Sequence, residues 1–276
     1  MNKKLKKILA GIGLCAVVGC GAMFATGCAG VNLTQDQVDK IVSIADNGKN
    51  WIDETLDILQ ANNNKLNSSD ALNLYERARL RLAVNEDNVW SNLKITLNEN
   101  FGDVGFISYE MKAFKAENEL GVIVSTYEGE VEGEPFSDSE RYDFEEIANQ
   151  EVPEGEMEQT ITFSGVMNYY MGPISYSMVD AETEELYKLT ENDILSCEYL
   201  ENGKVKIVAS CYEMFAASEF TNAGPILCEF IIDTEGYLQS CKYSFIGAEE
   251  GIMNEATIVI KMNFEYNVLT TADVAE

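Results

Sequence analysis

From Ile258 to Tyr266 the chain alternates without a break. Ile258, Ile260, Met262, Phe264 and Tyr266 fall on one side, and Val259, Lys261, Asn263 and Glu265 on the other. A period of two lays one set on each face of an extended chain. Such a segment needs a sheet with one buried and one wet face, which is the habit of antiparallel sheets. The same period starts at Leu93, Ile95 and Leu97, with Lys94, Thr96 and Asn98 between them. After a turn at Phe101-Gly102-Asp103 it continues through Ile107, Tyr109, Met111 and Ala113 and through residues 122–127. Further strands are predicted at 160–171, with Ser164-Gly165 as a bulge or bend, and at 176–179, 186–189, 227–232 and 237–245. A three-residue loop, Glu201-Asn202-Gly203, sets Leu195, Cys197 and Tyr199 opposite Ala209, Ile207 and Val205, with glycine at the left-handed position.

Ahead of the strands the period is helical. Thr34 and Gln37 fit a capping box before Val38, Ile41, Val42 and Ala45. A second short helix carries Ile52, Leu56 and Leu59 on one face. Ser68-Ser69-Asp70 opens a third, with Leu72, Tyr75, Ala78 and Leu82 inward. Arg77, Arg79 and Arg81 alternate with Ala78, Leu80 and Leu82, a pattern that also suits a strand, so the end of this helix stays open. These arginines either pair with the chain's own acids or offer a contact to an acidic partner. Residues 214–219 read as a helical turn.

The first thirty residues follow another logic. Lys3, Lys4, Lys6 and Lys7 precede an apolar run from Ile8 to Phe24, and no acid occurs before Asp36. This is the layout of an export signal, oriented by its positive end. Small residues then lead to a cysteine in Val17-Val18-Gly19-Cys20 and again in Ala25-Thr26-Gly27-Cys28. Both tetrapeptides resemble the lipobox of bacterial lipoproteins, over the leader alone. The resemblance implies a diacylglyceryl group on a cysteine thiol and cleavage before it. Cys28 is the expected lipidation site, because cutting there leaves a short tether, whereas cutting at Cys20 leaves an apolar start. An uncleaved signal anchor is the other reading, since about 20 apolar residues span a bilayer. Two or three acyl chains, at about 0.8 kcal/mol per buried methylene, hold a protein to a membrane stably.

Composition excludes several functions. The formal net charge is −28, with 47 acids against 19 bases, which rules against nucleic acid because phosphate binding needs Lys and Arg. There is no histidine, so Ser-His-Asp and Cys-His catalysis within this chain are excluded, as is the commonest zinc ligand. No P-loop, G-x-S-x-G or dinucleotide fingerprint is present. No catalytic residue, metal ligand or cofactor site is assigned. Past the leader, Cys197, Cys211, Cys228 and Cys241 fall in strands at spacings unlike a metal site. They read as buried thiols or as two disulfides, and the choice stays open. Whether Cys228 meets Cys241 depends on the hairpin around Asp233-Thr234-Glu235-Gly236. A two-residue loop makes them opposite, and a glycine-bulge loop turns them to opposite faces.

Residues 128–158 hold thirteen acids, Arg141, Pro135 and Pro153, and read as a solvated acidic loop. A calcium site or a carboxylate-dependent hydrolase would use such acids, but no calcium-loop spacing occurs. The expected organisation is a signal peptide at 1–27, a tether at 28–33 and one α+β domain at 34–276. That domain is mainly helical to 92 and mainly β from 93, with its N-terminal helices packed on a large curved antiparallel sheet. This outline is similar to the half-barrel carriers of the LolA and LppX type, which implies an apolar ligand held in the sheet. The expected function is that of an extracytoplasmic protein anchored by lipid to the bacterial cell membrane. It is non-catalytic and binds an apolar or lipid-like ligand or another envelope protein.

Overall fold

The computed structural model describes residues 68–83, 85–131, 133–149, 161–167, 171, 189–200, 202–211, 221–222, 225–249 and 253–275. Cys28, the leader, the tether and the expected helices before Ser68 lie outside them, as do the expected strand at 176–179, most of that at 186–189 and the turn at 214–219.

The fold is α+β, a large antiparallel sheet with a few helices. Helix α1 (Ser68–Ala83) comes first. Strands β1 (Asn92–Asn100), β2 (Gly105–Phe114), β3 (Val122–Val131) and β4 (Glu134–Asp143) follow, then the short helix α2 (Phe144–Ala148). The second group is β5 (Ile194–Tyr199), β6 (Val205–Cys211), the two-residue β7 (Thr221–Asn222), β8 (Ile226–Ile232), β9 (Leu238–Glu249) and β10 (Met253–Tyr266). In space the strands run β4-β3-β2-β1-β10-β9-β8-β6-β5, and β7 adds to β9. Each long strand therefore lies beside its neighbours in sequence, and the last returns to the first. That is the order of an up-and-down ring with one seam missing, between β4 and β5.

The alternation read from the sequence sets the register. Leu93, Ile95 and Leu97 of β1 lie between Ala113, Met111 and Tyr109 of β2 and Tyr266, Phe264 and Met262 of β10. These residues belong to one continuous core. The outward face carries ion pairs: Lys94 reaches Glu110 and Glu265 at 3.3 Å each, and Glu229 takes Lys206 at 2.6 Å and Lys242 at 2.9 Å.

Helix α1 stays helical to Ala83, and the arginine alternation is not a strand. Its buried face is Ala71, Leu74, Tyr75, Ala78 and Leu82, so Leu74 takes the place expected for Leu72. The helix stops because Asn85 turns left-handed, at φ 58°. Trp90 Nε1 then donates to the Leu82 carbonyl at 2.7 Å, a group that a helix end leaves open. The helix packs on β5, β8 and β9.

Four expectations are corrected. Of the expected acidic loop, residues 132 and 150–158 lie outside the described residues, and the rest is not a loop: β3 continues to Val131, and β4 pairs with it from Val122↔Asp143 to Val131↔Glu134. Gly129 lies opposite Phe136, and a Cβ there would stand 2.5 Å from the Phe106 carbonyl oxygen and 2.7 Å from the Phe136 ring. Glu128 and Glu130 point outward around it, so the acidic run is itself a period-two strand. The segment from 160 is not a strand at its centre. Residues 163–167 are helical, with Phe163, Val166 and Met167 buried at helical spacing. Thr162 caps them: its hydroxyl accepts from Gly165 N–H at 3.1 Å.

The third correction concerns Leu195. A bulge sets Ile194, not Leu195, opposite Ala209, while Cys197↔Ile207 and Tyr199↔Val205 stand as expected. Leu195 is left 60% exposed. The fourth concerns the β8–β9 hairpin. Its glycine-bulge loop shifts the register once, and an irregularity at Ile231/Ile232 shifts it again. Cys228 thus faces Tyr243, Cys241 faces Phe230, and both thiols are buried on the same side.

Among the described residues no helix is long and apolar enough to cross a membrane, which says nothing of strands.

Candidate functional site

The inward face of β1 continues one step past Leu97. The next residue in the period is Glu99, with Ile107 beside it on β2 and Ile260 on β10. Among the described residues it is the one buried acid, at 3% exposure. Its Oε1 has no hydrogen-bond partner. Burial alone pushes its carboxyl up to about 8, because an ionised carboxylate is costly where water and counter-charges are absent. At neutral pH the group is therefore mostly a neutral acid, one O–H donor with acceptor capacity besides.

The cross-strand row through Glu99 goes on to Ile260 and Tyr243. Two strand spacings, about 9–10 Å, separate Glu99 from Tyr243. Over β8 and β9 this face meets α1. Tyr75 lies on Phe230, ring centres 4.1 Å apart, and Phe230 meets Tyr243 edge-on at 6.0 Å. Arg79 is buried beside them and pairs with Glu76 at 2.7 Å. Burial opposes its charge, but Glu76 and Tyr75 outweigh burial and raise its pKa. Its Nε has no partner.

The thiols on this face are poor nucleophiles. Burial pushes Cys241 up to about 12, and thiolate is the reactive form. Cys228 donates to the Ile226 carbonyl at 3.8 Å. Among the described residues no three His, Cys, Asp or Glu side chains gather as a metal site needs. The arrangement is an apolar face packed as core, with buried polar groups at Ser125 of β3, Arg79 of α1 and the Glu99 carboxyl of β1. Its chemistry is hydrogen bonding in a low-dielectric setting.

The arginine cluster divides. Arg79 pairs within α1, and Arg81 joins α1 to the β8–β9 hairpin. Arg81 Nε meets Glu86 at 3.0 Å and Nη2 meets Asp87 at 3.2 Å. Nη1 donates to the Glu235 carbonyl, and the guanidinium lies 3.9 Å over the Tyr237 ring. Both arginines pair with the chain's own acids.

Cys28, the expected lipidation site, lies outside the described residues. Glu99 is the residue that sequence reasoning passes over. The signal was the alternation itself, carried one period beyond Leu97.

Among known proteins, no family model and no curated protein matches the chain. A solved structure, that of Rv2717c from M. tuberculosis, aligns over 66% of this chain and 97% of its own at 6% identity, with a TM-score of 0.18. A likeness that slight carries no argument.

Proposed function

We propose that this chain is an exported, non-catalytic protein, held at the bacterial cell membrane by lipid on Cys28, that binds an apolar, lipid-like ligand. The ligand lies against the inward face of the sheet, which acts as a half-barrel open between β4 and β5. The anchor rests on the leader, with its lysines, its apolar run and Cys28. The binding reading rests on Glu99: a buried carboxyl with an unpartnered oxygen on an apolar sheet face. Buried polar groups nearly always have partners, and a ligand's polar end is one way to supply it.

Protein extracted natively from membranes is expected to carry a lipid-like mass in native mass spectrometry, lost on organic extraction. Stripped protein that takes up no apolar probe would defeat the binding reading. A fatty-acid label is expected on the wild type and absent from Cys28→Ala. Label that survives Cys28→Ala and vanishes in Cys20→Ala moves the anchor to Cys20.

A second reading, a protein partner in the envelope, is favoured by Leu195, Leu227 and Ile246, which stand exposed on β5, β8 and β9. Crosslinking to a neighbour that is lost in Leu227→Lys and Ile246→Lys would favour it.

A further inference from the structure

The apolar-ligand reading leaves open what kind of molecule fits. Glu99 narrows it. The side chain leaves β1 between Ile107 and Ile260, with Leu97 one period back and Phe101, also buried, just beyond the strand. Tyr109 of β2 lies one period along from Ile107 on the same face. The other titratable groups nearby are Tyr243 of β9, across Ile260, and Asp103 in the turn 102–104, which is exposed. The Arg79–Glu76 pair belongs to α1, which packs over β8 and β9. Lys261, next along β10, points to the exposed side.

Three occupants would satisfy the unpartnered oxygen. A buried water typically makes about three hydrogen bonds. On the inward face Glu99 has apolar Leu97, Ile107 and Ile260 around it, with Tyr109, diagonal on β2, as the neighbouring polar side chain, so a water there is under-satisfied. An ammonium group would form an ion pair in surroundings that leave its other N–H groups unpaired, and desolvation offsets most of that gain. An uncharged group that both donates and accepts meets the carboxyl at two points and leaves no charge to bury.

We infer that the Glu99 carboxyl anchors the head of an apolar ligand whose head group is uncharged and both donates and accepts, as an amide or a hydroxyl does. The inference rests on the apolar-ligand reading above and specifies the head group. The hydrocarbon body lies along the inward face, and the head pairs with the neutral acid.

The test uses the mature protein and three probes of one chain length: a long-chain primary amide, the matching alkane and the matching amine. Each displaces a fluorescent apolar reporter from wild type, Glu99→Gln and Glu99→Met, all first checked for folding by circular dichroism. At about pH 6, wild type is expected to bind the amide about tenfold more tightly than the alkane, the scale of one well-formed buried hydrogen bond. Glu99→Gln, which keeps a donor and an acceptor, retains the preference. Glu99→Met binds both probes alike. Raising the pH to about 9.5 weakens amide binding to wild type and leaves Glu99→Gln unchanged. Equal binding of amide and alkane by wild type overturns the head-group inference and leaves the apolar-ligand reading intact. So does a preference for the amine that Glu99→Gln abolishes. Failure of all three probes to bind overturns both.

Discussion

Arg81 and Glu99 are both ionisable residues taken out of water, and they are treated in opposite ways. Arg81 has two carboxylates, a carbonyl and an aromatic face around its guanidinium. Glu99 has aliphatic neighbours in the strands on either side and an oxygen with no partner. A buried charge with a full set of partners is a joint, here the one that fastens α1 to the β8–β9 hairpin. A buried acid without one is a cost that folding alone does not explain. The contrast separates a structural node from a buried acid whose partner, on the reading proposed above, is a ligand.

The comparison breaks first on pH. Unfolded, the Glu99 carboxyl titrates near 4.5, and folded at about 8. Between those values the folded state binds the extra proton. Its contribution is therefore complete below about pH 4.5, declines as pH rises through about 8, and is gone above that. At 1.36 kcal/mol per unit, the loss amounts to roughly 5 kcal/mol. Urea denaturation across pH 4–9.5 is expected to show this decline in wild type and a flatter profile, by about that amount, in Glu99→Gln. Parallel profiles would mean that Glu99 is not buried as described.

The next effect is at the joint. Arg81→Met keeps much of the apolar stem and strands Glu86 and Asp87. Breaking a fully buried pair by removing one partner costs about 3 kcal/mol, so with Glu86 only partly buried and Asp87 exposed about 2 kcal/mol is expected, and the midpoint of denaturation should fall accordingly. A loss below about 0.5 kcal/mol, the level of surface changes, would make Arg81 an ordinary surface charge. The smallest effect refines the joint. Tyr237→Phe keeps the ring under Arg81 and deletes the 2.8 Å bond from its hydroxyl to Asp87. About 1 kcal/mol is expected, and the double mutant with Arg81→Met should lose less than the sum, because both changes act on Asp87.

Much of the sheet was legible because alternation is local. Leu93 to Leu97, Ile107 to Ala113 and Ile258 to Tyr266 carry their facing in their own spacing, and the structure keeps it. The misreadings have physical causes of the same kind. The acidic stretch looked like a loop, but Gly129 within it admits the Phe106 backbone and the Phe136 ring, a cross-strand matter. Residues 163–167 looked extended until Thr162 is seen capping them. Leu195 was misplaced by a bulge in β5, and the facing of the two hairpin cysteines, left open, was decided by the register shift between β8 and β9; a bulge leaves no residue-type signature there. Of the candidate site, the apolar face was legible, and the acid on it was not singled out among 47.

The amino-acid order by itself determined the class of the fold. Period-two stretches with one buried and one wet face are the habit of antiparallel sheets, and the absence of histidine removes whole chemistries whatever the fold. The order of the strands was decided in three dimensions, where β10 returns to β1 and the ring stays open between β4 and β5. So was the isolation of Glu99 and the company of Arg81. Spacing along a chain sets which way a side chain points, but the partners it meets are brought by strands and helices distant in sequence.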